Sequence, residues 1–329
     1  MRLFLLPIST RRTLIYCDKN TIQNAAANLA PGQKPPILDR ITTKAADTWA
    51  DFEKAESGWK KHLTNYGNMV LRRIPYEEWG LKSIPALSRT RRGELEEAAA
   101  KGAKEKVEVL FPGAYLKEGR VLETLKNLAT ERQALHKSKM LWSFGIAPFT
   151  APFMLVPVVP NIPFFYMVFR GWSHWRALNG SRHLEFLTKN PIILSPKTSP
   201  ILDNLYTAGL LHPTRAESRE ASSPTPEQIS RVSELIETKG NKGEKNVMIL
   251  QRWSGKLLAE EFKLPEMEVE IERAVEQVEA AISKAEEAKI EKDRADIAEA
   301  DEKEADAKVK IAKAAEDVKN SGTGLKEKI

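Results

Sequence analysis

The chain has 329 residues, of which 29% are charged, and its mean hydropathy of −0.41 excludes a polytopic membrane protein. The formal net charge is +6, with an excess of basic residues in residues 1–200 and of acidic residues in residues 201–329. Cys17 is the only cysteine, which excludes an intramolecular disulfide. No nucleic-acid-binding motif accompanies the basic part, so anionic membrane lipid is favoured over nucleic acid as a partner.

The first 17 residues predict a β-hairpin. Two apolar runs at residues 2–8 and 13–17 flank the polar sequence STRR, which is typical of a turn. The same stretch is basic and carries no acidic residue before Asp18, the charge pattern of a mitochondrial targeting segment. We favour the hairpin, and targeting by this stretch stays open.

An aromatic-striped helix and one further strand complete a predicted α+β domain at residues 1–139. Helical spacing of large apolar side chains predicts an amphipathic helix over residues 43–73, with its stripe in the core. The stripe consists of Trp49, Phe52, Trp59, Leu63, Tyr66 and Val70. The sequence KVEVLFPG, residues 106–113, predicts a strand, and residues 118–139 predict a helix that leads into the next segment.

Residues 140–169 form an uncharged segment with five prolines. As one continuous helix this segment would extend about 45 Å, against a hydrocarbon core of about 30 Å. It is too long for one upright span and too short for two, so a kinked single span and a re-entrant hairpin both stay open. The residues assigned to the segment and its turn are Pro148, Pro152, Pro157, Pro160, Asn161 and Pro163.

Both flanks of this segment are basic and aromatic. Nearly equal flanks slightly favour a hairpin with both ends on one side of the membrane. The predicted interface anchors are Trp142, Trp172, Trp175, Arg170 and Arg176. The alternative without a membrane is a buried helix pair in a soluble protein. Free backbone groups at Asn161 would be unfavourable in lipid, so we expect a partner subunit or self-association.

The sequence contains no motif that predicts catalysis. It has no glycine-rich phosphate loop, no paired-cysteine site and no nucleophile elbow. His174 and His183 lie near Glu185, but their spacing does not place them on one helical face, and interfacial side chains are the interpretation that we favour. We therefore expect a protein that is not an enzyme and that binds neither a cofactor nor a metal.

The C-terminal half is predicted to be helical and charged. A basic juxtamembrane region at residues 170–212 leads to a polar linker at 213–226 and a pair of helices at 227–265. Residues 266–329 are predicted to form a short coiled coil and a solvated or partly disordered tail. Heptad-like spacing lasts for about two heptads, at Ile271, Val275, Val278, Ile282 and Ala285. The predicted fold is mainly α, with a small α+β N-terminal part, one Pro-rich membrane segment and a helical charged C-terminal extension.

Three strings around the uncharged segment are distinctive: ATERQALH, PNIPFFY and SHWRAL. Together with LFLLPISTRRTLIYC and KVEVLFPG they resemble the mitochondrial K⁺–H⁺ exchange-related family. The resemblance covers roughly residues 2–187 and recurs weakly in LPEMEVEIERAVEQV. It implies a fungal-type protein of the mitochondrial inner membrane that is associated with potassium/proton exchange and with control of matrix volume.

The residues themselves limit the role within such exchange. A carrier of protons and cations generally places ionisable side chains at membrane depth, and residues 140–169 contain no charged one. We therefore expect an accessory or regulatory component that packs against an inner-membrane carrier or complex subunit. The alternative is a membrane-anchored scaffold that organises inner-membrane complexes without an ion role.

Overall fold

The structure is a computed structural model of the chain. It describes residues 1–18, 51–52, 54, 57–100, 106–152, 161–212, 214–240 and 245–323. Within these residues the chain is mostly helical with a four-stranded sheet near its N-terminus. It divides into two compact units, Met1–Val278 and Glu279–Ile329.

The sheet has the strand order β2-β1-β3-β4. The strands are β1 at Arg2–Pro7, β2 at Thr13–Cys17, β3 at Val107–Phe111 and β4 at Leu194–Thr198. β1 and β2 pair antiparallel, whereas β3 lies parallel to β1 and β4 parallel to β3. The predicted N-terminal hairpin and the predicted strand at residues 106–113 are confirmed. The sequence did not predict β4, which has few strand-favouring residues and pairs with β3 along its whole length.

Helices connect the parallel strands and cover the sheet. Before β3 lie α1 (Trp59–Arg72), α2 (Tyr76–Ser83) and α3 (Arg89–Ala100). Between β3 and β4 lie α4 (Glu118–Thr130), α5 (Gln133–Thr150), α6 (Ile162–Lys189) and a 3₁₀ turn at Pro191–Ile193. After β4 follow α7 (Pro200–Leu211), α8 (Arg215–Glu220), α9 (Pro226–Lys239), α10 (Ser254–Phe262) and α11 (Pro265–Thr323). The helix predicted at residues 118–139 is thus two helices, because α4 ends at Thr130 and a new helix begins at Gln133.

The predicted aromatic stripe lies only partly in the core. Trp49 falls outside the described residues, and α1 begins at Trp59. Tyr66 is 65% exposed, whereas the polar Thr64 is buried and donates its hydroxyl hydrogen to the Lys61 carbonyl. The expectation of a core stripe is therefore wrong at Tyr66, because α1 turns another face towards the interior.

Strands β1 and β2 are buried on both faces of the sheet, whereas β4 is mostly exposed. Successive residues of a strand point to opposite faces, and Leu3, Phe4, Leu5 and Leu6 of β1 are all inaccessible to solvent. On one face a core cluster joins the strands to α2, α4 and α6. On the other face Phe4 packs edge-on against Phe262 of α10, with 4.9 Å between ring centroids. Because β1 is buried on both faces, this part of the sheet supports helices on either side.

Two glycines hold α2 between the sheet and α6. A Cβ at Gly80 would lie 2.5 Å from the main-chain oxygen of Ile15 in β2. A Cβ at Gly180 of α6 would lie 2.0 Å from the main-chain oxygen of Leu81 in α2. Only a residue without a side chain permits approaches this close. The short helix α2 therefore packs closely against β2 on one side and against α6 on the other.

α5 and α6 form an antiparallel helical hairpin. Gln133 at the start of α5 donates to Glu185 near the end of α6, and Asn161 just before α6 donates to the carbonyl of Thr150 at the end of α5. This register is that of a hairpin and not of one kinked helix. The residues between the helices, 153–160, lie outside the described residues. Among the helices that are described, none combines the length and the apolar character needed to cross a membrane.

The linker predicted at residues 213–226 contains a short helix, α8. Thr214 caps this helix, because its side chain accepts a hydrogen bond from the Glu217 main-chain nitrogen. The next helix, α9, begins with a capping box in which Thr225 and Gln228 satisfy each other's main-chain donors. The predicted polar linker thus includes one short helix, and the helix predicted after it begins at its capping box.

The predicted tail begins inside the first unit. Ile271, Val275 and Val278 of α11 are buried there, and Gln277 donates to the main-chain carbonyls of Arg72, at the end of α1, and Ile74, just after it. The apolar rhythm of this stretch is thus used to dock α11 onto the folded unit.

In the second unit, Glu279–Ile329, the chain is helical through Thr323. Ile282 is half-buried, Ala285 is exposed, and every described side chain from residue 283 to residue 314 is exposed. The described part of this unit is therefore a solvated helix, one of the two forms expected for the tail.

Candidate functional site

Six polar side chains meet in the interior where α2 packs against the base of the α5–α6 hairpin. Two lie one helical turn apart on α2, one lies on α5, and three share a single turn of α6. Helical periodicity therefore directs them to the same place. All six are buried or nearly so. We call them the Glu78 cluster: Glu78, Lys82, His136, Arg170, Ser173 and His174.

Glu78 is the centre of this cluster. Arg170 donates from Nη1 to one carboxylate oxygen at 2.9 Å and from Nη2 to the other at 3.1 Å. Ser173 Oγ donates to the carboxylate at 2.5 Å. Burial by itself would raise the pKa of Glu78, but the hydrogen bonds from Arg170 and Ser173 and the charge of Arg170 hold it below the ordinary value. Glu78 is thus a buried anion in a bidentate pair with Arg170.

The two histidines extend the network as neutral rings. Arg170 Nη2 donates to Nε2 of His174 at 2.9 Å, and because a guanidinium cannot accept, the hydrogen of a neutral His174 lies on Nδ1. That Nδ1 donates to Nδ1 of His136 at 3.1 Å. Burial lowers the pKa of His174 to about 4 and also lowers the pKa of His136. Nε2 of His136 then carries a hydrogen with no acceptor among the described residues.

Lys82 joins the cluster from the next turn of α2. Its Nζ donates to Ser173 Oγ at 3.0 Å and lies 3.1 Å from the centroid of the Trp79 ring. The guanidinium carbon of Arg273, on α11, lies 4.6 Å from the centroid of the same ring. Burial lowers the pKa of Lys82 from 10.5 to about 7. A cation–π contact compensates only part of the hydration that a buried ammonium loses.

The cluster also contains three potential metal ligands. Ligand atoms of Glu78, His136 and His174 lie within 4.8 Å of one another. Arg170, however, already binds both oxygens of Glu78 and donates to Nε2 of His174. A cation on Nδ1 of His174 would place a hydrogen on Nε2, facing the Arg170 donors. Metal-bound histidines normally donate from the outer nitrogen to an acceptor, so this geometry suits a hydrogen-bonded network better than a metal centre.

The opposite end of the hairpin inverts the usual distribution of side chains. We call it the apolar end, which consists of residues 140–152 and 161–169. Its buried side chains are small or polar: Ser143, Ala147 and Asn161. Its large apolar side chains face outward, with Phe149 80% and Trp142 67% exposed. The exposed set is Leu141, Trp142, Phe144, Ile146, Phe149, Ile162, Phe165, Tyr166 and Val168. Many large apolar side chains exposed on two packed helices indicate an interaction surface.

Asn161 closes the apolar end. Its side chain accepts from the main-chain nitrogen of Phe164 at 3.1 Å and so caps α6. The same side chain donates to the carbonyls of Thr150 at 2.8 Å and Ala151 at 3.2 Å. Three main-chain groups near Asn161, those of Thr150, Ala151 and Phe164, are thus hydrogen-bonded within the protein.

The prolines predicted to shape this segment occupy different places relative to α5 and α6. Pro148 lies inside α5, and Pro152 follows the end of that helix. Pro163 lies in the first turn of α6, where a missing main-chain donor is tolerated. Pro157 and Pro160 lie outside the described residues.

The predicted interface anchors differ in their exposure to solvent. Trp142 is exposed on the apolar end, whereas Trp172, Trp175 and Arg176 are half-buried. Arg170 is not an anchor, because its side chain is only 15% exposed and is bound to Glu78. That expectation was wrong because the buried carboxylate comes from α2, which is remote in sequence.

The two histidines expected at an interface are buried instead. His174 belongs to the Glu78 cluster, and His183 donates from Nδ1 to the carbonyl of Pro85 at 2.8 Å. The sequence signal for the cluster was the spacing of Arg170, Ser173 and His174, which fall on one face of a helix. Nothing in that spacing identifies partners on α2 and α5.

Comparison with known proteins relates this region to a family. Residues 2–188 match the model of a family described as mitochondrial K⁺–H⁺ exchange-related. An uncharacterized protein of Schizosaccharomyces pombe is 27% identical over 184 residues, covering 56% of this chain and 74% of that protein. An uncharacterized protein of Saccharomyces cerevisiae is 23% identical over 207 residues, covering 58% of this chain and 63% of that protein. No solved structure matches the chain. The family match includes the whole Glu78 cluster and the apolar end.

Proposed function

The chain belongs to the mitochondrial K⁺–H⁺ exchange-related family, and we propose that it serves potassium/proton exchange as an accessory component held in the inner mitochondrial membrane. The observation that carries this proposal is the inverted apolar end, where large apolar side chains face outward and Ser143 and Asn161 face inward. An outward apolar surface is unfavourable in water and favourable in lipid. The bilayer is therefore the environment that the apolar end fits.

The dimensions of the apolar end suit one leaflet. At about 1.5 Å per residue, the uncharged part of α5 (residues 140–150) extends roughly 16 Å and that of α6 (residues 162–169) roughly 12 Å. The hydrocarbon core of a bilayer is about 30 Å thick. A hairpin of this length enters and leaves on the same side. The hydrogen bonds of Asn161 satisfy main-chain groups at the end of α5 and the start of α6, which lowers the penalty for placing these helix ends in lipid.

Basic side chains lie where the hairpin would leave the lipid. Lys137 and Lys139 on α5 are exposed, and Arg176 on α6 is half-buried. Each basic side chain close to an anionic membrane surface contributes about 1 kcal/mol of binding. Anionic headgroups are accordingly the lipid partner in this proposal.

The accessory role follows from the chemistry of the apolar end. No residue between 140 and 169 is charged, so this segment lacks the ionisable groups that carriers place at membrane depth. In this proposal a separate carrier supplies the ion path, and the hairpin packs against that carrier or against a second copy of the chain. Regulation of matrix volume is the physiological consequence.

Potassium-dependent swelling of mitochondria tests this function. In mitochondria whose own copy is replaced by Phe149→Ser/Phe165→Ser, both exposed on the apolar end, we expect swelling in potassium acetate to be lost. An added potassium/proton ionophore should restore it. The matched control is Leu235→Ser, an exposed apolar residue of α9 outside the hairpin, which should swell like wild type. Normal swelling of the double variant would contradict the proposal.

Reconstitution tests the accessory role separately. The purified chain alone in potassium-loaded liposomes is expected to give no potassium-dependent proton flux. A flux above that of empty liposomes would identify a stand-alone carrier and overturn the accessory assignment, while leaving the link to exchange intact.

A membrane-anchored scaffold is the second candidate, and the second unit favours it. The described side chains from residue 283 to 314 are exposed and mostly charged or alanine, a surface suited to other proteins rather than to ions. Deleting residues 279–329 should impair swelling little if exchange is the role. It should instead release inner-membrane partners, measured by blue-native electrophoresis, if the protein is a scaffold.

A further inference from the structure

Lys82 is the least satisfied member of the Glu78 cluster. An ammonium group has three hydrogen-bond donors, yet among the described residues Ser173 Oγ, at 3.0 Å, is the acceptor that Nζ reaches. No carboxylate of the described residues lies within 4.0 Å of Nζ. Its remaining neighbours are the rings of Trp79 and Phe169, whose centroids lie 3.1 Å and 5.9 Å away. A charge at this position is therefore only partly compensated.

The charges around Lys82 balance without it. The ionisable groups that face it are Glu78 on α2, Arg170 and His174 on α6, His136 on α5, and Glu270 and Arg273 on α11. Glu78 is paired with Arg170, and Glu270 is paired with Arg273 at 2.5 Å. Both histidines are neutral, because burial lowers their pKa. A protonated Lys82 is thus a surplus positive charge in a buried site that is otherwise neutral.

We propose that Lys82 is the proton-binding site of this protein, and that its charge state is passed through Ser173 to the Glu78–Arg170 pair that fastens α2 to the hairpin. On release the Nζ–H bond breaks, its electron pair stays on nitrogen and the proton passes to water. Ser173 Oγ accepts from Lys82 and donates to Glu78, so it links the two groups directly. That this proton regulates potassium/proton exchange rests on the proposed function, whereas the proton-binding site does not.

The position of Lys82 suits this role. Phe169, beside its ammonium, is the last residue of the uncharged segment, so the site lies at the boundary of the apolar end. Burial is the largest cause that lowers the pKa of Lys82 to about 7, with Arg170 and Arg273 acting in the same direction and Glu78 and Glu270 against it. The group therefore exchanges its proton near neutrality, where an ordinary lysine stays charged.

The sign of the resulting pH dependence is fixed. An unfolded Lys82 keeps its proton up to about pH 10.5, whereas the folded protein releases it above about pH 7. Between these values the unfolded state binds one more proton, so folding becomes more favourable as the pH rises. One proton corresponds to about a tenfold fall of the unfolding equilibrium constant per pH unit.

Nuclear magnetic resonance on the full chain tests the site directly. With lysine labelled by ¹³C at Cε, we expect one resonance with a titration midpoint near pH 7, and this resonance should be missing in Lys82→Met. The labelled control is Lys137→Met, which removes an exposed lysine of α5 and should leave the resonance in place. A Lys82 resonance that titrates above pH 9.5 would overturn the proposal.

Unfolding by urea provides an independent readout if the Lys82→Met spectrum is difficult to assign. Between pH 7.5 and 9.5 the unfolding constant of wild type should fall about tenfold per pH unit beyond that of Lys82→Met. Equal pH dependence in both proteins would overturn the proposal.

Swelling separates this inference from the proposed function. Lys82→Met should abolish the dependence of potassium-driven swelling on matrix pH between 6.5 and 8. Lys82→Arg, which stays charged, should keep swelling at its low-pH rate over the same range. If the resonance titrates near pH 7 but Lys82→Met swells with unchanged pH dependence, the regulation of exchange by this proton is overturned. If the apolar-end variant swells normally, the proposed function fails while the proton-binding site stands.

Discussion

The close approach of α6 to α2 at Gly180 positions the Glu78 cluster, so Gly180→Ala is the substitution with the clearest expected effect. The added Cβ would lie 2.0 Å from the Leu81 carbonyl oxygen, whereas real Cβ atoms essentially never come within 3.0 Å. The two helices must therefore separate by about 1 Å. A main-chain oxygen cannot rotate away as a side chain does, and overpacking of this kind costs about 1–3 kcal/mol.

Alanine also favours the helix over glycine by about 1 kcal/mol, which offsets part of that loss. We expect Gly180→Ala to lower the free energy of unfolding by about 1 kcal/mol relative to wild type, the middle of the overpacking cost less the gain in helix propensity. The matched control is Gly93→Ala in α3, where a Cβ meets nothing within 4 Å and stability should rise by up to about 1 kcal/mol. Urea unfolding followed by tryptophan fluorescence measures both. Equal or greater stability of Gly180→Ala would refute the packing argument.

Four further outcomes follow from the contacts of Asn161 and Glu78. Asn161→Ala removes a helix cap and two hydrogen-bond donors and should lower the free energy of unfolding by about 2 kcal/mol. Asn161→Asp keeps the cap acceptor and should lower it less. Equal losses of the two variants in urea unfolding would contradict the capping role. Glu78→Gln leaves Arg170 buried without its anion and should cost about 3–5 kcal/mol, against less than about 0.5 kcal/mol for the exposed Glu94→Gln. Folding lowers the pKa of Glu78 below its ordinary value of 4.5. The stability that ionised Glu78 contributes is therefore complete above pH 4.5 and is lost as the pH falls further. Below pH 4.5, wild type should accordingly lose more stability than Glu78→Gln. Zinc should leave the Tm unchanged, and a rise of several degrees at micromolar zinc would indicate a metal centre at Glu78, His136 and His174.

Local sequence signals predicted the elements whose cause is local. The N-terminal strands follow from two apolar runs around a short polar turn, and β1 pairs with β2 as expected. The capping box at Thr225 and Gln228 starts α9 where the sequence places it. Length and prolines left a kinked span and a hairpin open, and the nearly equal basic flanks slightly favoured the hairpin, which is the arrangement of α5 and α6. In each case neighbouring residues supply the physical cause.

The rest depends on contacts between distant parts of the chain. β4 has little strand preference and forms because β3 offers it a parallel edge. Arg170 follows an apolar segment, as an interface anchor would, yet it binds a carboxylate that α2 brings from 92 residues away. Lys82 is an ordinary lysine in the sequence, and only burial against α6 gives it a perturbed pKa. The inverted exposure of the apolar end is likewise visible only when the hairpin is folded.

The depth of Phe149 in a bilayer tests the central claim most directly. Cys17 is buried, so a bimane label on Phe149→Cys or on the control Leu235→Cys reports one site each. In vesicles that contain anionic lipid and brominated acyl chains, the account predicts strong quenching of bimane at position 149 and none at position 235. Equal, weak quenching at both positions would contradict the insertion of the apolar end into the membrane.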